Sequence, residues 1–319
     1  MKKIFAAIFI IVSLSHSQYS LNTERIGGAR HFGEENIFRV SLIYNGKTIK
    51  TIEQKLPYDV PFPASYINET IGAFVLSYPF DGFVEVYDGK GEKIWKQDFF
   101  KEMSPNYERT ISVALGSSTL AFLTSDVELQ RAVVHRYTID GVQQWETLLP
   151  HTTGYEIALS PNEQTIIAGS YLVSVDKVHQ SATLINAKGT INGNIDILFR
   201  KAAFSDDGKF TALSSDREVV VISNETSKEL YRTTKQTKGI ITDLIWKEKN
   251  LIVQESEIRS TLEHSFVYAD PLFINYSFEL KKISEQQFVD ENFKTAQLKN
   301  KNGKIDFIQN GKTTTLFQQ

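Results

Sequence analysis

Few side chains in this sequence are spaced for chemistry, and the acidic pair Asp206 and Asp207 is the first candidate. Catalysis by two carboxylates needs groups with different pKa values that face one substrate. Both aspartates, however, stand directly before a glycine in the stretch AFSDDGKFTALSS, and such residues favour a tight turn in which they bond their own backbone. The stretch ALSPNEQTIIAGS, 45 residues earlier, matches it with Pro161 and Asn162 at the aspartate positions. We therefore interpret the acidic pair as part of a repeated turn.

Histidine, serine and glycine motifs give no second catalytic candidate. The five histidines beyond the first 17 residues are His31, His135, His151, His179 and His264. They lack the paired spacing of a local metal site, and His135 falls in a predicted outer strand, where we expect it to be solvated. The sequence has no cysteine and no G-x-S-x-G, H-E-x-x-H or Walker-type glycine motif. It therefore predicts neither a metal nor a cofactor.

The first 17 residues have the pattern of a secretory signal peptide. Two lysines precede an apolar run from Ile4 to Leu14, and Ser15 and Ser17 then supply small residues at the two positions that matter for cleavage. The run has 11 residues, whereas a helix needs about 20 to cross a bilayer. We predict a signal peptide over residues 1–17, export to the periplasm or the extracellular space, and a lead-in segment over residues 18–36.

Composition limits the partners. The 319 residues include 35 basic and 38 acidic side chains, a net charge of -3, and a mildly acidic surface argues against nucleic acid or an anionic membrane as the main partner. The chain exceeds the length of about 250 to 300 residues at which one core stops growing. It must therefore form two domains or one modular domain.

Two kinds of segment alternate along residues 37–319, and they favour the modular solution. The first is an apolar strand, a polar turn and a second apolar strand, as in YEIALSPNEQTIIAGS and RKAAFSDDGKFTALSS. The second is a hairpin whose turn carries Gly, Asn or Asp, as in SLIYNGKTIKTI and VEVYDGKGEKIW. Together they give four strands in about 44 residues, the size of a β-propeller blade. We predict an all-β chain that forms a β-propeller of seven four-stranded blades, with six or eight left open.

The repeats can be compared with known propeller families. FSDDGKFTALSS and LSPNEQTIIAGS resemble the inner turn of WD-like repeats, whereas VYDGKGEKIW and YTIDGVQQW are similar to the outer hairpin of pyrroloquinoline-quinone-type (PQQ-like) repeats. The Trp-Asp and Gly-His pairs of true WD repeats are absent, so the hydrogen-bonded network of that family is not implied. The resemblance implies a propeller and no particular function, because propellers include enzymes, scaffolds and ligand sensors.

A binding site is expected on the face where the loops that lead into each inner strand converge with the loops between second and third strands. Aromatic and cationic side chains in these loops are the candidates, since such residues are enriched at binding hot spots. They are Tyr107, Arg109, His151, Tyr155, Arg200 and Arg259.

The repeat scaffold without a catalytic motif leads to a functional hypothesis. We expect an exported, non-enzymatic propeller that acts as a binding or scaffold module for a protein or an envelope component. The alternative is a lactonase, lyase or glycoside hydrolase whose acidic or histidine side chains converge at the central channel. A quinone-dependent dehydrogenase ranks third, because the hairpin resemblance supplies none of the contacts that such a cofactor needs.

Overall fold

The computed structural model describes residues 19–27, 31–101, 103–260, 266–289, 292–293, 296–301, 304–309 and 312–317. The predicted signal peptide and His264 lie outside these residues. The described part of the chain contains no helix with the length and hydrophobicity required to span a bilayer.

Seven antiparallel sheets follow one another along the described chain, and within each of them consecutive strands pair. Sheet 1 contains β1 (Tyr19–Ile26), β2 (Glu35–Tyr44) and β3 (Lys47–Pro57). Sheet 2 contains β4 (Ala64–Ile67), β5 (Phe74–Tyr78), β6 (Phe83–Tyr87) and β7 (Lys93–Asp98). Sheet 3 contains β8 (Thr110–Leu115), β9 (Thr119–Asp126), β10 (Arg131–Thr138) and β11 (Gln143–Leu148). Sheet 4 contains β12 (Thr153–Leu159), β13 (Thr165–Val173), β14 (Val178–Asn186) and β15 (Ile191–Ile195).

The remaining three sheets complete the ring. Sheet 5 contains β16 (Lys201–Phe204), β17 (Phe210–Ser214), β18 (Glu218–Ser223) and β19 (Lys228–Thr234). Sheet 6 contains β20 (Ile240–Lys247), β21 (Asn250–Ser260), β22 (Phe266–Tyr276), β23 (Lys282–Gln287) and the short β24 (Asn292–Phe293), which pairs with β22. Sheet 7 contains β25 (Ala296–Lys301), β26 (Lys304–Gln309) and β27 (Lys312–Leu316). The prediction of an all-β propeller with seven blades is confirmed. Among the described residues, sheets 1 and 7 have three strands each, sheets 2 to 5 have four, and sheet 6 has four strands in order plus the short β24.

The position of each strand in its blade follows from the sequence pattern. First strands of neighbouring sheets contact one another, so they lie around the centre of the ring. Middle strands such as β18, with the sequence EVVVIS, are almost continuously buried, because neighbouring blades cover both of their faces. Last strands such as β11, with the sequence QQWETL, alternate between exposed and half-buried side chains, as expected at the outer rim.

Six apolar clusters join the seven sheets in consecutive pairs. The cluster between sheets 4 and 5, for example, contains Ile167 and Phe199 from one side and Val220 from the other. Each sheet therefore buries its faces against its neighbours, which makes the ring a single cooperative unit rather than a set of independent blades.

Outer-strand tryptophans tie two pairs of blades together. The Trp95 indole donates a hydrogen bond to the Ile139 carbonyl in the next blade (2.9 Å), and the Trp145 indole donates to the Ala187 carbonyl at the same distance. The Trp95 ring lies against Gly141, where a Cβ would come within 2.9 Å of it. Gly141 also has a φ of 94°, so this position requires glycine for both backbone and packing reasons.

The ring closes between two incomplete sheets. The Tyr19 amide, at the start of β1, donates to the Glu69 carbonyl in the turn that precedes the second strand of sheet 2 (2.9 Å). The start of β1 thus lies beside the place where the second strand of sheet 2 begins, so β1 occupies the position of a second strand. Sheet 1 therefore has no inner strand among its described residues. The Lys299 ammonium, on β25 of sheet 7, forms an ion pair with the Glu69 carboxylate of sheet 2 (2.9 Å).

The acidic pair singled out in the sequence lies in the turn between β16 and β17. One Asp207 carboxylate oxygen accepts hydrogen bonds from the Ser205 hydroxyl (2.8 Å) and from the Lys209 amide (3.1 Å). The Ser205 bond, together with the Lys209 amide, lowers the pKa of Asp207. The prediction that these aspartates form a turn is confirmed.

Candidate functional site

The two faces of the ring differ in the loops that they carry. In an antiparallel meander, the turn between the second and third strands lies on the same side as the connection to the next sheet. We call this side the connection face; it includes the turns at residues 79–82, 127–130, 174–177 and 215–217. The turn that contains Asp207 lies on the opposite face.

Arg109 is buried below the connection face and has a structural place there. Its side chain is 1% exposed and forms an ion pair with Asp126 (Nε to Oδ2, 2.6 Å). The guanidinium also lies over the Phe100 ring, 4.7 Å from its centroid. A partner that approaches from solvent cannot reach this side chain, which corrects the expectation that Arg109 belongs to the binding surface.

The charge of Asp126 is stabilised in this buried position. Burial by itself would raise the pKa of Asp126, but the hydrogen bond from Arg109 and the amides of Leu129 and Glu128 lower it below its usual value. The two amides donate to the second carboxylate oxygen, Oδ1, at 3.2 and 2.8 Å. This ion pair therefore fixes the turn at residues 127–130.

Two other candidates stand apart from the rest. Tyr107 is 66% exposed, donates its hydroxyl proton to the Asp59 carbonyl (2.6 Å) and packs on Phe80. Arg259 lies on the long hairpin of sheet 6 and pairs with Asp270 and with Glu257 (3.4 Å). Both side chains are accessible, but each lies on a different part of the ring.

His151 lies beside His179 on sheet 4, with 6.3 Å between the ring centroids. Partial burial and the neighbouring imidazole lower the pKa of His151. No cluster of three metal-ligating side chains occurs in the part of the chain that the structure describes.

Tyr155 and Arg200, by contrast, come together between sheets 4 and 5. They line a cavity of about 370 Å³ with Leu198 and with three residues of the β13–β14 hairpin. These three are Tyr171, Val173 and Val178. We call this cavity the apolar compartment, because its lining consists of two phenol rings, three aliphatic side chains and one guanidinium.

A second cavity of about 520 Å³ adjoins the first and shares Leu198 and Arg200 with it. Its other lining residues are polar: Gln180, Ser215, Asp216, Arg217, Glu218 and Thr234. We call it the polar compartment, and the two compartments together form the groove.

The ring of Tyr155 enters the groove because of a local irregularity in sheet 4. The pairing of β12 with β13 shifts between Gly154 and Glu156, so that Tyr155 is the extra residue of a β-bulge, a device that redirects a side chain. Its ring lies on Gly169, where a Cβ would come within 2.4 Å of the ring. Burial raises the pKa of the Tyr155 hydroxyl, which therefore stays protonated.

The wall of the groove is the β13–β14 hairpin. Tyr171 pairs with Gln180, and Val173 pairs with Val178; side chains alternate along each strand, so these pairs share one side. The valines are 66% and 51% exposed, and Val175 at the tip is fully exposed. Apolar side chains in such a position are costly in water unless something covers them.

Sequence reasoning found Tyr155 and Arg200 but missed the hairpin residues opposite them. The segment YLVSVDKVH (residues 171–179) contains the turn between second and third strands, and its valines fall outside the aromatic and cationic types that the sequence criterion selects. The residues Tyr, Leu and Val in YLVSV are the available signal, since aromatic and β-branched side chains favour a strand that continues beyond the sheet.

The centre of the ring carries a separate group of ionisable side chains. Glu156, Lys201 and Asp243 lie on inner strands β12, β16 and β20. Burial raises the pKa of Glu156 and of Asp243, against the opposing charge of Lys201. Tyr66 on β4 also has its pKa raised, first by burial and then by the charge of Glu156.

His135 differs from the expectation that it would be solvated. Its side chain is 13% exposed, and its Nε2 lies 3.0 Å from the Thr124 hydroxyl. It lines an enclosed cavity of about 60 Å³ between β10 and the Phe99–Phe100 segment. This part of β10 is covered by the segment that follows β7 of the preceding blade, and burial lowers the pKa of His135 to about 4.

Comparisons with known proteins identify the fold. No family model and no curated protein matches the sequence. Among solved structures, a chain of the "Mitotic Checkpoint Complex" matches with a TM-score of 0.57 and 10% identity, covering 99% of this chain and 98% of that one. Sqt1 of Saccharomyces cerevisiae matches with a TM-score of 0.57 and 12% identity, covering 89% and 80%. BamB from Moraxella catarrhalis has 11% identity and a TM-score of 0.44, covering 93% and 97%.

The first two of these structures contain WD40-type propellers. At identities this low, the likeness shows a shared fold and carries no information about ligand or partner. The chain is therefore a β-propeller.

Proposed function

We propose that this protein is a non-enzymatic binding module that presents its connection face to another protein. The single observation that carries the proposal is the groove between sheets 4 and 5, with the exposed valines of its wall. Exposed apolar groups next to a cavity with tyrosine and arginine are the composition of a binding hot spot. The scaffold suits this role, because the ring holds the loops of different blades in fixed positions.

The absence of cysteine from the sequence allows a direct test. A single cysteine introduced as Val175→Cys at the tip of the hairpin is labelled with a photoactivatable cross-linker and added to envelope extracts. Val142→Cys is the matched control, since Val142 is 60% exposed in a turn on the opposite face. We expect one discrete cross-linked partner with the first variant alone. Identical products from both variants would contradict a role for the connection face.

The proposed partner is an exported protein or another envelope component, which depends on the predicted signal peptide. Protein purified from the envelope fraction of the native host should begin at Gln18, as intact-mass measurement can determine. A cytoplasmic protein that retains residues 1–17 would exclude an envelope partner. The binding proposal would then apply to a cytoplasmic partner.

A second candidate function is an enzyme of the lactonase, lyase or glycoside hydrolase type. The observation in its favour is the pair Glu156 and Asp243 near Lys201 at the centre of the ring, since carboxyl groups with raised pKa values can act as general acids. Purified protein is assayed with chromogenic glycosides and with lactones, beside the variants Glu156→Gln and Asp243→Asn. Turnover that both variants lose would favour the enzyme, whereas equal rates in all three proteins would exclude these residues.

A further inference from the structure

The groove between sheets 4 and 5 has two compartments of different chemistry that meet at Leu198 and Arg200. The apolar compartment offers Tyr155, Val173 and Val178, which can bury an aliphatic or aromatic side chain. Its volume of about 370 Å³ lies within the range of about 300 to 1,000 Å³ that is ordinary for ligand sites.

Ion pairs account for most of the charge in the polar compartment. Arg200 pairs with Asp216 (Nε to Oδ1, 2.7 Å), and Glu218 pairs with Arg232 (2.6 Å). Arg217 is exposed and forms no ion pair with any described residue. The two guanidinium groups and two carboxylates of the lining therefore balance, but the Arg217 guanidinium is the one among these four groups without an ion pair, and it lines the same compartment as Arg200.

We propose, on the basis of the binding function proposed above, that the groove binds an extended segment of the partner protein by two adjoining features. An aliphatic or aromatic side chain of that segment enters the apolar compartment. A carboxylate further along the same segment binds beside Arg200 and Arg217 in the polar compartment.

The shape of the groove favours a peptide segment over a compact ligand. The two compartments are open and adjoin each other, and the apolar surface continues outside them to the tip of the hairpin, where Val175 is fully exposed. An extended chain advances about 3.3 Å per residue and places alternate side chains on one side. It can therefore fill one compartment, cross the Leu198 position and reach the next.

The apolar contact and the charged contact differ in the binding free energy that each contributes. Burial of a leucine side chain contributes about 1.5 to 3 kcal/mol, which corresponds to a change in Kd of about tenfold or more. An exposed ion pair contributes at most about 1 kcal/mol, or about two- to fivefold. The apolar contact therefore sets the affinity, and the charged contact sets the preference among sequences.

Fluorescence anisotropy with synthetic peptides tests both contacts. The probes are fluorescein-labelled eight-residue peptides of Ser and Thr that carry one Leu, with Glu placed one, two, three or four positions after it. Matched peptides carry Ala for Leu or Gln for Glu. We expect the best Leu–Glu peptide to bind about tenfold more tightly than its Ala version and about two- to fivefold more tightly than its Gln version at low salt.

Two variants assign these differences to the groove. Val178→Asp should abolish binding of the best peptide, whereas Val142→Asp on the opposite face should not change it; both sites are exposed, so both proteins should fold. Arg217→Gln should remove the preference for Glu over Gln and keep the preference for Leu over Ala. Binding that is unaffected by Val178→Asp, or absent for all peptides, would overturn this inference.

These outcomes are independent of the broader proposal. A partner cross-linked at position 175 that shows no requirement for an apolar residue followed by an acidic one would leave the binding function intact and refute the peptide chemistry. Sedimentation measurements test whether a second copy of this chain occupies the groove instead. A dimer that dissociates in the Val178→Asp variant would overturn the inference.

Discussion

The buried pair of Arg109 and Asp126 permits a sharp test of whether Arg109 is structural. The variant Asp126→Asn leaves the guanidinium 1% exposed without a counter-charge, and its two terminal nitrogens have no hydrogen-bond partner among the described residues. Removing one partner of a buried pair costs about 3 to 5 kcal/mol. We expect a loss of this size in the free energy of unfolding, which is a large fraction of the total of about 5 to 15 kcal/mol for a typical protein.

A double variant shows whether the loss comes from the uncompensated charge. In Arg109→Met/Asp126→Asn the buried charge is gone, and the asparagine oxygen can still accept from the amides of Glu128 and Leu129. The double variant should therefore be more stable than Asp126→Asn by about 1 to 3 kcal/mol, the range in which coupled sites interact. Urea unfolding followed by tryptophan fluorescence at pH 7 gives all the values. A loss below 1 kcal/mol in the single variant, or a double variant less stable than the single one, would refute the reasoning.

The pH dependence of this pair has a defined sign. The pKa of Asp126 is lower in the folded protein than in the unfolded chain, where it is about 3.9. The ionised carboxylate therefore stabilises the folded state above that pH, and this contribution disappears as the pH falls through the folded value. The stability difference between wild type and Asp126→Asn should be constant from about pH 5 to pH 8 and should shrink below about pH 4.

Two further predictions concern blade packing and a buried histidine. Gly141→Ala should destabilise the fold by about 1 to 3 kcal/mol more than Gly33→Ala in urea unfolding. The two glycines have similar φ values, 94° and 92°, but only Gly141 is covered by a side chain, the Trp95 ring. Equal losses of stability would mean that backbone strain alone matters. The pKa of His135 is about 4 in the folded protein and about 6.5 in the unfolded chain. The neutral imidazole therefore contributes stability that is fully present above about pH 6.5 and is lost as the pH falls towards 4. Wild type should therefore lose about 2 kcal/mol more than His135→Gln between pH 7 and pH 5, and parallel pH profiles would show that the imidazole is not responsible.

The fold was largely predictable from the sequence because its signals are local. Alternating apolar residues define strands, Gly, Asn and Asp define turns, and a period of about 44 residues defines the blade. The ends of the ring were less predictable. Whether β1 and β25 occupy inner or second positions depends on contacts such as that of Lys299 with Glu69, which are 230 residues apart in sequence.

The candidate site was predictable only in part, and for a physical reason. Tyr155 and Arg200 were selected as aromatic and cationic loop residues, and the structure places both in one groove. Arg109 satisfies the same criterion but is buried, because it forms an ion pair with Asp126 at the end of β9, the strand that pairs with β8. The type of a side chain does not reveal the charge that it will face.

The amino-acid sequence by itself determined the strands and the turns, since each depends on residues within one period, and it favoured seven blades while six or eight stayed open. It also determined that Asp206 and Asp207 form a turn. Only the tertiary structure decided which loop residues meet, because the groove joins Tyr155 and Val173 of one sheet to Arg200 at the start of the next. That meeting depends on a bulge in β12 and on the bare surface of Gly169, and both act through packing between strands rather than through the pattern along one strand.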